Sequence, residues 1–182
     1  LKNNTVQATV RTGSGAEKKF SWNLRAILAP RAGKAPVIDG DLSDWNAQAK
    51  EIPLSLRTRL KPWTSAEDAI RANARLMWDD AHLYLGVTVF KRDNVESPVG
   101  VSGLWLGDGI QFAFDPVRNA LKEVKDYQDD DFEYASALVG GKPVIFRTKA
   151  SAATYDSLEK EIGLLRDVPT AIRRYPDRTV YE

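Results

Sequence analysis

The stretch Arg71-Ala72-Asn73-Ala74-Arg75-Leu76-Met77-Trp78-Asp79-Asp80-Ala81-His82-Leu83-Tyr84-Leu85-Gly86-Val87-Thr88-Val89-Phe90 decides the fold. Ala72, Ala74, Leu76 and Trp78 alternate with Arg71, Asn73, Arg75 and Met77. A turn at Asp79-Asp80 then leads into a second alternating run through Leu83, Leu85, Val87 and Val89. Successive side chains of a strand point to opposite faces, so this period of two predicts a β-hairpin with one apolar face. The pattern recurs outward from it. Ile110, Phe112 and Phe114 share a parity, as do Phe132, Tyr134, Ser136 and Leu138, and Val144, Phe146 and Thr148. The last two runs flank Gly140-Gly141, a hairpin turn signal. Pro176-Asp177 separates two more short runs, at 171–174 and 179–181. Helical spacing is confined to 158–165, where Leu158, Ile162 and Leu165 fall on one side, and it predicts a short connector helix. Many short strands and frequent turns favour an all-β chain, an antiparallel β-sandwich, over a parallel α/β architecture. The expected core holds Trp45, Trp78, Leu85, Val87, Ile110, Phe112 and Phe114.

Composition narrows the function. The 182 residues are 43% hydrophobic and 28% charged, ordinary globular values. Twenty-six basic against 25 acidic residues leave a formal charge of +1, so no bulk field draws nucleic acid or an acidic membrane surface. No apolar run approaches the roughly 18 residues of a membrane-spanning helix. Without cysteine, thiol catalysis, disulfides and thiolate metal sites are excluded. The single histidine, His82, has no Gly-x-Ser-x-Gly partner for a hydrolytic triad.

Two prolines and a glycine interrupt the pattern at Ala29-Pro30-Arg31-Ala32-Gly33-Lys34-Ala35-Pro36. Residues 1–35 are therefore read as an amino-terminal β-hairpin and linker, the end of a preceding domain or an element docking through Phe20 and Trp22, because a lone hairpin is marginal in water. Residues 36–182 form the main domain. Its last strand is still running at Glu182, which reads as a truncated edge, and Leu1 opens no leader sequence, as in a processed product or an excerpt.

Within that domain Pro36-Val37-Ile38-Asp39-Gly40-Asp41-Leu42-Ser43-Asp44-Trp45 pairs an apolar-Asp-Gly step with a following Trp. Ala74-Arg75-Leu76-Met77-Trp78-Asp79 restarts as Leu83-Tyr84-Leu85, and Leu104-Trp105-Leu106-Gly107-Asp108 runs into a strand ending at Asp115. With Asp129-Asp130-Asp131-Phe132-Glu133-Tyr134 and the last hairpin, the order resembles family 9 carbohydrate-binding modules. The resemblance implies an immunoglobulin-like sandwich that binds sugar without catalysis. It further implies a setting in a larger secreted or periplasmic polysaccharide-processing protein such as a glycoside hydrolase, with carbohydrate and neighbouring domains as partners and calcium as a frequent stabiliser. Family members hold a sugar ring between two tryptophans. Trp105 stands at the first of these positions, and Gln111 replaces the binding glutamate, keeping an acceptor for hydroxyls. Ala135 replaces the binding arginine. Asp108 and Glu133 are further candidate acceptors, and Trp63, in a polar loop, is a candidate second stacking face.

Each of these residues has an alternative role. Trp105 lies in the glycine-flanked loop Gly103-Leu104-Trp105-Leu106-Gly107, where it faces either a ligand or a packing surface. A structural, interdomain packing sandwich that has lost its ligand is the competing reading. Asp129 and Asp131 are candidate calcium ligands, since carboxylate oxygens suit a hard cation, or members of a solvated turn. Haem-binding relatives of the sandwich use Met and His. Met77 and His82 lie five positions apart around one turn and cannot approach an iron from opposite sides, so haem would require another ligand.

Overall fold

The computed structural model describes residues 3–11, 13, 15, 17–25, 28–54, 70–117, 128, 130–150 and 162–182. Strands β1 (Asn3–Arg11) and β2 (Glu17–Arg25) pair antiparallel as a separate two-stranded sheet. The remaining strands are β3 (Ile52–Pro53), β4 (Arg71–Trp78), β5 (Leu83–Phe90), β6 (Gly109–Phe114), β7 (Phe132–Val139), β8 (Lys142–Lys149), β9 (Gly163–Leu165), β10 (Ile172–Arg174) and β11 (Thr179–Tyr181). They form one five-stranded sheet in the order β10-β11-β5-β4-β3 and one four-stranded sheet in the order β6-β7-β8-β9. This is the all-β, antiparallel sandwich that the alternation predicts. Among the described residues no helix is long and apolar enough to cross a membrane.

The four expected hairpins form. In β4–β5, Met77 pairs with Tyr84 and Trp78 with Leu83. The turn between them is held by Asp79, whose Oδ1 accepts from the backbone N–H groups of Ala81 and His82, both at 2.8 Å. Its Oδ2 accepts from the Tyr84 hydroxyl at 2.5 Å. The Tyr84 bond first, and the Ala81 N–H next, favour the charged form and lower the Asp79 pKa to about 2. Gly140 and Gly141 take φ of 58° and 72°, the paired positive values of a tight hairpin turn between β7 and β8. Of the segment read as helical at 158–165, Gly163–Leu165 is a strand instead, hydrogen-bonded at the edge of β8. Residues 158–161, Trp63 and Asp129 lie outside the described residues.

The core differs from the expected one. Met77, 1% exposed, is sealed with Ala32, Trp45 and Ala49 on the five-stranded sheet. Trp45 and Leu42 lie so close over β5 that a Cβ on Gly86 would meet Leu42 at 2.9 Å and Trp45 at 3.2 Å, which is why a glycine interrupts the strand. Gly86 alternates with Leu85 and Val87, so this cluster covers the sheet face turned away from the second sheet. Trp45 is thus core, as expected, but Trp78 is not. At 41% exposed, Trp78 ends its strand clamped by the linker. Its Nε1 donates to the Ala29 carbonyl at 3.0 Å, and the Arg31 guanidinium lies 5.9 Å from its ring.

Between the sheets Ala74, Val87 and Tyr181 are buried, with Ile110 reaching them from the four-stranded sheet. Leu85, Phe112, Phe114 and Tyr134 point inward with the parity predicted, yet remain only half-buried. They line a cavity of 320 Å³ that takes up much of the space a sandwich core would fill. A buried side chain is costly to truncate in proportion to the contacts it loses. Met77→Ala should therefore cost about 3 to 4 kcal/mol and the larger but half-buried Phe112→Ala only about 2. Urea denaturation of both variants checks this inverted order.

Candidate functional site

The outer face of the four-stranded sheet carries two of the residues singled out from the sequence, Gln111 and Glu133. Along β6, Gln111 and Ala113 point away from the cavity that Ile110, Phe112 and Phe114 enter, and Gln111 is exposed. In β7 the matching outward positions are Glu133, Ala135 and Ala137. Gln111 pairs with Ala135 and Ala113 with Glu133. Gln111 and Glu133 are therefore diagonal neighbours, about 7 to 8 Å apart at the backbone. Glu133 accepts a hydrogen bond from Thr148 Oγ1 at 2.6 Å.

Trp105 stands at the margin of this face. Its loop, Gly100–Leu106, is a run of 3-10 turns whose Leu104 is buried against Ala135 and Ala137. The small residues of β7 leave room for Leu104, and the next side chain, Trp105, is left 67% exposed. Gly107 turns the chain where no side chain fits, since a Cβ there would lie 2.4 Å from the Ser97 nitrogen. Val95, Val99 and Leu106 are exposed on the same pair of loop segments.

Asp108 is an anchor for those loops. Its carboxylate accepts from Lys91 Nζ at 2.7 and 2.8 Å and from the Val95 N–H at 2.6 Å, while its own N–H donates to the Val95 carbonyl at 2.6 Å. The structure thus groups Gln111 and Glu133 on one surface with Trp105 at its edge, and engages Asp108 in holding the loop in place.

A second feature lies where β6 ends and β7 begins. Phe114 pairs with Phe132, and Asp115 and Asp131 are the next residues outward on the two strands. Asp115, Asp130 and Asp131 each bring a carboxylate oxygen within 4.8 Å of the others. Asp131 is buried, and its Oδ2 accepts from the Gln128 N–H at 2.6 Å. Of the two metal candidates from sequence, Asp131 belongs to this group and Asp129 is outside the described residues. Asp115 was not among the candidates, because the long connection between β6 and β7 leaves their register unread in the sequence. Three clustered carboxylates form a hard oxygen donor set of the type calcium takes. The residues associated with haem are separated, with Met77 sealed in its cluster and His82 exposed at the turn.

The family described as carbohydrate family 9 binding domain-like matches residues 38–160 of the chain. No curated protein and no solved structure matches it. If Asp108 organises the loops, Asp108→Ala should cost about 2 kcal/mol, the scale of hydrogen bonds to a charged group. Urea denaturation measures that loss, and faster amide exchange at Val95 should accompany it.

Proposed function

The chain belongs to the carbohydrate family 9 binding domain-like family, and from that membership we propose that it is a non-catalytic carbohydrate-binding module of a larger secreted or periplasmic polysaccharide-processing protein. The observation that carries this reading is the exposed ring of Trp105 beside the outer face of β6 and β7. The apolar face of a pyranose stacks on an aromatic plane, and Trp105 offers one that its own fold leaves uncovered. Gln111 and Glu133 supply amide and carboxylate groups for hydroxyls on the adjoining surface. With Ala135 in place of an arginine, one ring and a few hydrogen bonds do the binding, a neutral bond such as that at Gln111 contributing about 0.5 to 1.5 kcal/mol and one to the Glu133 carboxylate up to about 3. Affinity in the millimolar range, about −4 kcal/mol, follows.

Exposed Val95, Val99 and Leu106 around the same loop favour a second reading, in which the patch packs on a neighbouring domain. Titration of mono- and oligosaccharides against tryptophan fluorescence separates the two. Trp105→Ala should abolish the sugar response without lowering the melting temperature. A wild-type chain that binds no glycan, or a variant that binds as well as wild type, removes the carbohydrate role from Trp105.

Asp115, Asp130 and Asp131 would hold a calcium ion, which would relieve their mutual repulsion and fasten the start of β7 to the end of β6. A ligand bound only by the folded state stabilises it by about 2.7 kcal/mol at 100 times its dissociation constant. Melting curves with calcium should lie above those with chelator, and Asp115→Asn should remove most of the difference.

A further inference from the structure

The inner faces of the two sheets are apolar, yet they do not close on one another. Interiors pack at a density of about 0.75, with few voids larger than a water molecule. The gap here is 320 Å³, enough for roughly ten waters at liquid density. Its walls offer those waters few partners: Leu85, Ile110, Phe112, Phe114 and Ile145 carry no polar side-chain atom. Phe112 stacks on Tyr134 at a centroid distance of 5.3 Å, with Phe114 edge-on to both rings at 5.8 and 6.0 Å, so this wall is a built aromatic surface.

Two charged residues border the space. Glu182 is directed into hydrogen bonds of its own, with Oε1 accepting from Trp45 Nε1 at 2.7 Å and Oε2 from the N–H groups of Asp39 and Gly40 at 3.0 and 2.8 Å. Arg147 lies on the opposite sheet, its guanidinium 5.7 Å from the Tyr134 ring centroid. A guanidinium carries five N–H donors in a fixed fork, and the fork matches a carboxylate while other bonds are kept.

We propose that the cavity between the sheets is a second ligand site, which takes a small monocarboxylic acid with an apolar body and holds its carboxylate at Arg147. At interior packing density the volume accommodates about a dozen non-hydrogen atoms, the size of a ten-carbon fatty acid. Cavities of this size with mostly apolar walls and one or two orienting polar groups are the usual form of small-molecule sites. This site is independent of the sugar surface, which lies on the other side of the four-stranded sheet.

Calorimetry and thermal melting of the full chain with sodium decanoate and with decan-1-ol, both below their aggregation limits, test it. Decanoate should bind one to one and raise the melting temperature. Arg147→Gln should weaken decanoate at least tenfold and leave decanol within twofold. Ser136→Phe, which points a ring into the space, should abolish binding of both ligands while the sugar response of Trp105 persists. A spin-labelled decanoate gives a readout that needs no variant: it should broaden the methyl resonances of Ile110 and Ile145. Absence of decanoate binding overturns the proposal, as does broadening confined to Val95, Val99 and Leu106. So does a folded Ser136→Phe chain that binds decanoate like wild type, or a chain whose two sheets are sealed by self-association.

Discussion

One carboxylate holds the sandwich in its present arrangement. Glu182, directly after β11, accepts three N–H groups: those of Asp39 and Gly40 in the backbone and the indole of Trp45. Its main chain pairs with Ala171 in both directions at 2.9 Å. Hydrogen bonds to a charged acceptor contribute about 1.5 to 3 kcal/mol, and the indole N–H of buried Trp45 would lose its carboxylate partner without Glu182. The consequence propagates. Trp45, fixed by its indole, covers β5 at Gly86 and completes the cluster that seals Met77. The apolar-Asp-Gly and Trp pattern near residue 40 is therefore a docking segment for the five-stranded sheet.

This placement also explains why the hydrophobic material of the chain is spent unevenly. The outer face of the five-stranded sheet acquires a packed cluster from a loop, whereas the facing inner surfaces share Ala74, Val87, Tyr181 and Ile110 and then part around a cavity. The four-stranded sheet is similar in kind. Part of its outer face is covered by Leu104 against Ala135 and Ala137, which leaves Trp105 outside and Gln111 exposed. Both sheets are thus covered in part from without by loop residues as well as facing each other.

Much of this was legible in the residues, for physical reasons that can be named. Strand parity follows from covalent geometry, so the inward set Ile110, Phe112 and Phe114 and the outward Gln111 could be read directly. Turn chemistry located the Gly140-Gly141 and Pro176-Asp177 hairpins. Burial was less legible, because alternation tells which side a residue faces and not what covers that side. Trp78 has the parity of Ala74 but ends its strand against Ala29 and Arg31, and Met77, of the opposite parity, is the more buried of the two. The stretch 158–165 misled at its end because Leu165, in helical spacing with Leu158 and Ile162, fits a short edge strand equally well. Asp108 was a candidate acceptor by its position beside Trp105, and its bonds to Lys91 and Val95 depend on a loop crossing that no local pattern encodes.

The β6–β7 register has a consequence for how such a domain can diverge. Asp115 and Asp131 come next after its last pair, Phe114–Phe132, while Gln111 and Glu133 share the outer surface of the two strands. Inserting or deleting one residue within either strand exchanges its two faces, sending the amide or the acid into the apolar gap and phenylalanines into water. A change of two residues restores the faces but shifts the carboxylates out of their cluster. Length variation is thus blocked within these strands for odd and even steps alike, by different penalties, and descendants of this sequence should change length elsewhere.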